Sequence, residues 1–190
     1  NANIPITEAQ LDAAIKAIEN GFTHYTAGPG IAELRKAIAV KLKRENGIDY
    51  DPETEITVTC GGIGAIFSAL QAVLVPGDEA IVTDPVWPVY LGILHMLNVK
   101  AVVLRLSEEN GFNMVPSEVE ALVTAKTKVI LVNSPQNPTG AVMGEENLKG
   151  IAEIAKKNGI FVLSDESYEK LVYEGARHVS IASLPGMRDL

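Results

Sequence analysis

The chain has 190 residues, the length of one domain rather than two. Hydrophobic residues make up 47% and charged residues 21%, which supplies a buried core and argues against intrinsic disorder. The 24 acidic residues outnumber the 16 basic ones for a formal charge of −8, which argues against a nucleic-acid footprint of clustered Lys and Arg.

Thr7 with Gln10 reads as a capping box. Leu11, Ala14, Ile15 and Ile18 then fall on one helical face, and Gly21 ends the helix. Gly28, Pro29 and Gly30 break the chain into a loop. A second helix is predicted over Ile31–Asn46, with Leu34, Ala37, Ile38 and Leu42 facing inward and Gly47 at its end. Beyond it, short β-branched runs alternate with helical ones. The predicted strands are Ile56–Thr59, Ala80–Thr83, Ala101–Leu104, Val129–Val132 and Ile160–Leu163. The predicted helices are Gly64–Leu74, Val86–Leu97, Ser117–Ala125 and Glu145–Lys157. Ser117 with Glu120 reads as another capping box, Leu148, Ile151, Ala152 and Ala155 form a core stripe, and Gly159 caps the last helix. This alternation predicts an α/β fold, a mostly parallel sheet flanked by helices.

Cys60 is the single cysteine, so no internal disulfide forms, in keeping with a reducing, cytoplasmic setting. The longest apolar run, Ala65 to Val75, is interrupted by Ser68 and Gln71 and is too short to span a bilayer. No signal peptide is expected at the start of the sequence. Asn1-Ala2 reads as an expression remnant, with the fold expected to start near Ile4.

Ligands of such sheets bind beyond the carboxyl ends of the strands, and four such ends stand out. Cys60-Gly61-Gly62-Ile63-Gly64-Ala65 lies between a strand and a helix. It reads as a phosphate cradle, where glycines admit a ligand to the helix N-terminus, or as a tight turn with close helix–sheet packing. Trp87, between Pro85 and Pro88, could stack on a flat heteroaromatic ring or simply fill the core. Asn133-Ser134-Pro135-Gln136-Asn137-Pro138-Thr139-Gly140 is a stiff polar turn in which Asn137 can offer its amide to a ligand oxygen. Asp165 directly follows an apolar strand, where a carboxylate needs a donor or cationic partner. It is a site candidate, or else an N-cap for a following helix.

These signals in this order resemble the class I/II aminotransferases of pyridoxal-phosphate (PLP) fold type I. The resemblance rests on Tyr25-Thr26 with Gly30 and Leu34-Arg35, Gly61-Gly62-Ile63, Pro85-Val86-Trp87-Pro88, Asn137-Pro138-Thr139-Gly140, and Ser164-Asp165-Glu166 with Tyr168. It runs from about Ile4 to the end. It implies an N-terminal arm or helix over 1–24 and, over 25–190, part of a PLP-binding large domain, truncated at its C-terminus. It implies that backbone amides of Gly62 and Ile63 hold the cofactor phosphate. Many members carry a hydroxyl residue where Ile63 stands. Trp87 corresponds to the aromatic stacked on the pyridine ring, Asn137 and Tyr168 to donors to the ring hydroxyl oxygen, and Asp165 to the carboxylate paired with the ring nitrogen. Tyr25 corresponds to a tyrosine that reaches the phosphate of the neighbouring subunit, which implies a homodimer. PLP is an electron sink. The sink deepens when its ring nitrogen is protonated, and a close carboxylate raises the pKa of such a cation by about 1–3 units.

The family's essential lysine lies in a Ser-x-Ser-Lys-like motif beyond the Asp–Tyr stretch, and this chain stops at Leu190 before one. Lys170 reads as ordinary helix surface. By the family's sheet order, the strand at Ile56–Thr59 would lack its neighbour here, exposing strand edges and favouring an intertwined or strand-borrowing oligomer. The expected function is that of part of an aminotransferase acting on small amino acids and 2-oxo acids, with aspartate or an aromatic amino acid as donor. The 190-residue chain itself is expected to be inactive. Alternatives are a non-catalytic PLP-fold fragment or sensing module, a PLP-dependent lyase, and a nucleotide-binding α/β protein unrelated to PLP.

Overall fold

Two largely apolar runs, 79–83 and 129–133, are buried on both faces, and that dictates the layers. The computed structural model describes residues 5–190, so the expected fold start near Ile4 and the Asn1-Ala2 remnant lie outside the described residues. The strands are β1 (Glu79–Asp84), β2 (Lys100–Arg105), β3 (Thr127–Asn133) and β4 (Phe161–Asp165). All pairs are parallel, in the order β2-β1-β3-β4. Ile81 pairs with Val102 on one side and Ile130 on the other, and Ile130 with Val162.

The helices are α1 (Glu8–Glu19), α2 (Ala32–Lys41), α3 (Gly61–Val73), α4 (Val89–Met96), α5 (Pro116–Leu122) and α6 (Glu145–Asn158). Strand residues alternate between faces, so the sheet divides the core in two. Ile81, Ile130 and Val132 pack with Val119 of α5 and with Leu148, Ile151 and Ala155 of α6. Ala80, Val82, Val129 and Leu131 pack on the other face with Ile66 and Leu70 of α3 and Tyr90 and Leu94 of α4. Helix α6 carries Glu145 and Glu146 in its first turn and Lys156 and Lys157 in its last, matching the helix dipole. Gly159, at φ +63°, ends it in the left-handed conformation that glycine tolerates best. No helix of the described residues is long and apolar enough to cross a membrane.

Several expectations are corrected. Ile56–Thr59 is not a strand. Val58 N–H donates to Pro29 O, and no sheet strand lies alongside it, so β-branched composition alone did not suffice. Ser117 does not cap α5: Val115 is the N-cap, and Pro116 takes the first helical position, where its missing N–H costs nothing. Helix α3 starts three residues early, at Gly61, and α4 three residues late, after Pro88. The predicted helix over Ile31–Asn46 is α2 followed by a π-helical turn, Leu42–Asn46, closed by Gly47 at φ +72°. The apolar face of the first helix is not covered, with Leu11, Ile15 and Ile18 exposed. Of the residues expected to face inward from the second, Leu34 and Ala37 are exposed and Ile38 and Leu42 half-buried, and neither helix has a fully buried residue. The amphipathic pattern of the first is present without a packing layer among the described residues. Lys170 lies in a turn, not on a helix.

Candidate functional site

Two strand-to-helix turns, the end of β4 and one helix N-terminus meet beyond the carboxyl ends of the strands. The turn after β3 is held by its own side chains. Asn133 is buried; its Oδ1 accepts from the Asn137 amide at 2.8 Å and its Nδ2 donates to Asp165 O at 3.0 Å. The Ser134 amide donates to the same Asp165 carbonyl at 3.1 Å. Gln136 Nε2 donates to Pro85 O at 2.7 Å, tying this turn to the one after β1. Gly140 closes it at φ +77°. The turn therefore holds Asn137 between the ends of β1 and β4.

Asp165 ends β4 with its side chain half-buried. No helix follows it, so the N-cap alternative does not hold. Its Oδ1 accepts from the amide and hydroxyl of Ser167, at 3.1 and 2.7 Å. Its Oδ2 accepts from the Tyr90 hydroxyl at 2.6 Å. Tyr90 is 1% exposed. Burial, and then the bond to Asp165, raises its pKa, so the phenol remains a neutral donor. The Trp87 and Tyr90 rings stand edge to face, 5.5 Å between centroids and 89° between planes. Trp87 packs, partly buried, against the core cluster beneath α4 and also lines the cleft.

A cavity of about 80 Å³ is lined by Trp87, Tyr90, Asn133, Asn137, Asp165 and Tyr168, among others. A second, of about 330 Å³, runs from Asp165 and Ser167 to Gly62, Ala65 and Ile66 of α3. Asp165 and Ser167 line both. At α3 the N-cap Cys60 makes no side-chain cap bond. As first-turn amides, those of Gly62 and Ile63 have no intrahelical acceptor. No heavy atom lies within 4 Å of where side chains at Gly61 and Gly62 would begin.

Five of the seven candidate residues, Gly62, Trp87, Asn137, Asp165 and Tyr168, line these two adjoining cavities. The Ile63 side chain is 51% exposed and lines neither, which leaves its amide as the group on offer. Tyr25 is fully exposed and lines neither cavity. Sequence reasoning gave no role to Tyr90 or Asn133. Tyr90 follows Trp87 by three residues, a spacing at which one turn of helix brings two side chains to the same face, and that was the available signal.

The family model for aminotransferase class I and II matches residues 1–189. Among curated proteins, an aromatic-amino-acid aminotransferase of Thermococcus litoralis is 41% identical over 92% of this chain and 45% of its own length. A probable aspartate/prephenate aminotransferase of Aquifex aeolicus is 44% identical over 90% of this chain and 43% of its own. Among solved structures, an aromatic aminotransferase from Pyrococcus horikoshii superposes with a TM-score of 0.95 at 39% identity, covering 97% of this chain and 50% of that one. The chain spans about half the length of the relatives it matches.

Proposed function

Since the chain belongs to the class I and II aminotransferases, we propose that it forms the cofactor-binding part of an enzyme that moves an amino group between an amino acid and a 2-oxo acid. The relatives' activities, on aspartate and on aromatic amino acids, support those two donor classes. The cofactor is PLP, which when bound supplies an electron sink.

The residues fit that group. The two adjoining cavities meet at Asp165, with an aromatic wall at Trp87 on one side and open first-turn amides at Gly62 on the other. In this reading the amides of Gly62 and Ile63 and the dipole of α3 receive the phosphate. Trp87 holds the ring plane. Asn137 and Tyr168 donate to the ring hydroxyl oxygen. Asp165 holds a proton on the ring nitrogen. The observation that carries this reading is the Asp165 carboxylate at the end of β4, bound by Tyr90 and Ser167 at the junction of the two cavities.

Residues 1–24 serve as an arm and 25–190 as part of the cofactor domain. The exposed Tyr25 and the exposed apolar residues of α1 and α2 support a second copy of the protein as the partner, with Tyr25 reaching its phosphate site. No lysine lines either cavity among the described residues, which supports the reading that this chain alone carries out no transamination. The test is to supply PLP, an amino acid and a 2-oxo acid to the purified chain and follow the new oxo acid. No turnover is expected, and turnover would overturn this point.

A further inference from the structure

We infer that Glu166 is a positioning residue for Asp165, gripping the end of β4 from the opposite face of the sheet; the functional meaning of this rests on the reading of Asp165 given above. Successive residues of a strand point to opposite faces. Leu163 packs into the cluster beneath α3 and α4, the side that Asp165 shares with Tyr90. Val162 packs into the cluster beneath α5 and α6, and by alternation Ser164 and Glu166 turn the same way, toward Ser180 next to that cluster's Ile181, although at this edge of the sheet both also line the larger cavity. There the Glu166 carboxylate is largely buried, its side chain 19% exposed. Its Oε1 accepts from the Ser164 and Ser180 hydroxyls, each at 2.7 Å. Its Oε2 lies 3.0 Å from Nε2 of His178, whose side chain is 8% exposed.

These bonds bring the chain back to the strand end it left. Residues 166–180 contain neither helix nor strand, yet Ser167, which donates twice to Asp165 Oδ1, lies at the start of this segment. On the near side the Asp165 carbonyl is already held by Asn133 and Ser134. Glu166 supplies the hold on the far side. Removing its carboxylate leaves two hydroxyls and an imidazole without their acceptor and frees the Ser167 turn. Glu166, Glu169 and His178 could also be read as a metal site, since their ligand atoms lie within 4.8 Å of one another. Glu169, however, is already paired with Lys41 and accepts from Asn46, and three groups already engage Glu166. The cluster is closed without a cation.

The Tyr90 hydroxyl proton, buried and donated to a carboxylate, is the reporter. It should give a slowly exchanging low-field proton resonance that is lost in Tyr90→Phe. Glu166→Ala and Ser180→Ala should shift or broaden it in the folded, cofactor-free chain. Glu166→Gln, which keeps an acceptor for both hydroxyls, should shift it less. A merely structural Glu166 would lower the denaturation midpoint and leave the resonance in place. An unmoved resonance in folded Glu166→Ala and Ser180→Ala overturns the inference; should the alanine variant at 166 not fold, Ser180→Ala decides. Asp165→Asn with added PLP is the separate control. An unchanged cofactor spectrum there sinks the reading of the cleft, while the Glu166 inference is judged on the cofactor-free resonance alone.

Discussion

The Tyr90 hydroxyl donates to Asp165 Oδ2 at 2.6 Å, joining α4 to the end of β4 across 75 positions of sequence. With Ser167 on the other oxygen, the carboxylate is fixed at the junction of the two cavities before any ligand arrives. Such preorganisation is what a site needs if it is to favour a charge on a bound ring.

Tyr90→Phe removes that donor and keeps the ring. A hydrogen bond to a charged acceptor contributes on the order of 2 kcal/mol, and the variant should lose stability of this size at neutral pH. Burial and the Asp165 bond raise the phenol's pKa in the folded state. A group raised in this way contributes stability that is complete below its unfolded value of about 10 and is lost as the pH climbs above it. Urea midpoints of the two proteins should therefore differ most below about pH 9 and converge above about pH 10. A gap that widens with rising pH would contradict this.

Trp87 is the single tryptophan, so its fluorescence reports one place in the molecule. PLP stacked on it should quench the emission, whereas inorganic phosphate, which has no ring, should not. Equal quenching by both would remove Trp87 from the site.

Gly150 of α6 faces Pro116 of α5, whose Cβ lies 2.7 Å from where an alanine Cβ would stand. Alanine is the better helix former by about 1 kcal/mol, but overpacking costs about 1–3 kcal/mol. Gly150→Ala should lower the thermal midpoint. A rise would mean that α5 and α6 do not meet at this point.

Lys170 Nζ lies 2.8 Å from Glu45 on the surface and lines neither cavity. That contact first, and then Arg44, holds the Glu45 carboxyl down at about 2. Lys170→Ala should return it toward the ordinary value of about 4.3, read by NMR titration. Because the pKa is depressed, any stability from this pair is present above about pH 4.3 and lost as the pH falls; on an exposed pair it is small. The PLP spectrum should not change, and a change would bring Lys170 back as a site residue.

What the sequence made legible follows the range of each interaction. The four sheet strands were readable because Ile81, Ile130 and their neighbours are apolar on both faces, a local property. The Thr7–Gln10 capping box and the Gly159 cap span only a few residues and form as expected. Ile56–Thr59 failed because a strand also needs a neighbour, and that is a matter of sheet order. Ser117 lost its capping role to Val115 and Pro116, two and one residues away, a competition that propensity alone does not resolve. At the site, Asp165 and Asn137 could be found from their positions at strand ends, and Gly62 from its glycine-rich turn at a helix N-terminus. Tyr90 could not, because its role exists only once two distant elements meet.

The most direct test of the central claim is a titration of the chain with PLP, followed by the absorbance of the ring, for the wild-type chain, Asp165→Ala and Trp87→Ala. Weak but specific binding is expected, with both substitutions diminishing the ring-dependent signal. An identical signal in all three would mean that the cleft between Trp87 and Asp165 does not hold the ring, and the proposed function would fall with it.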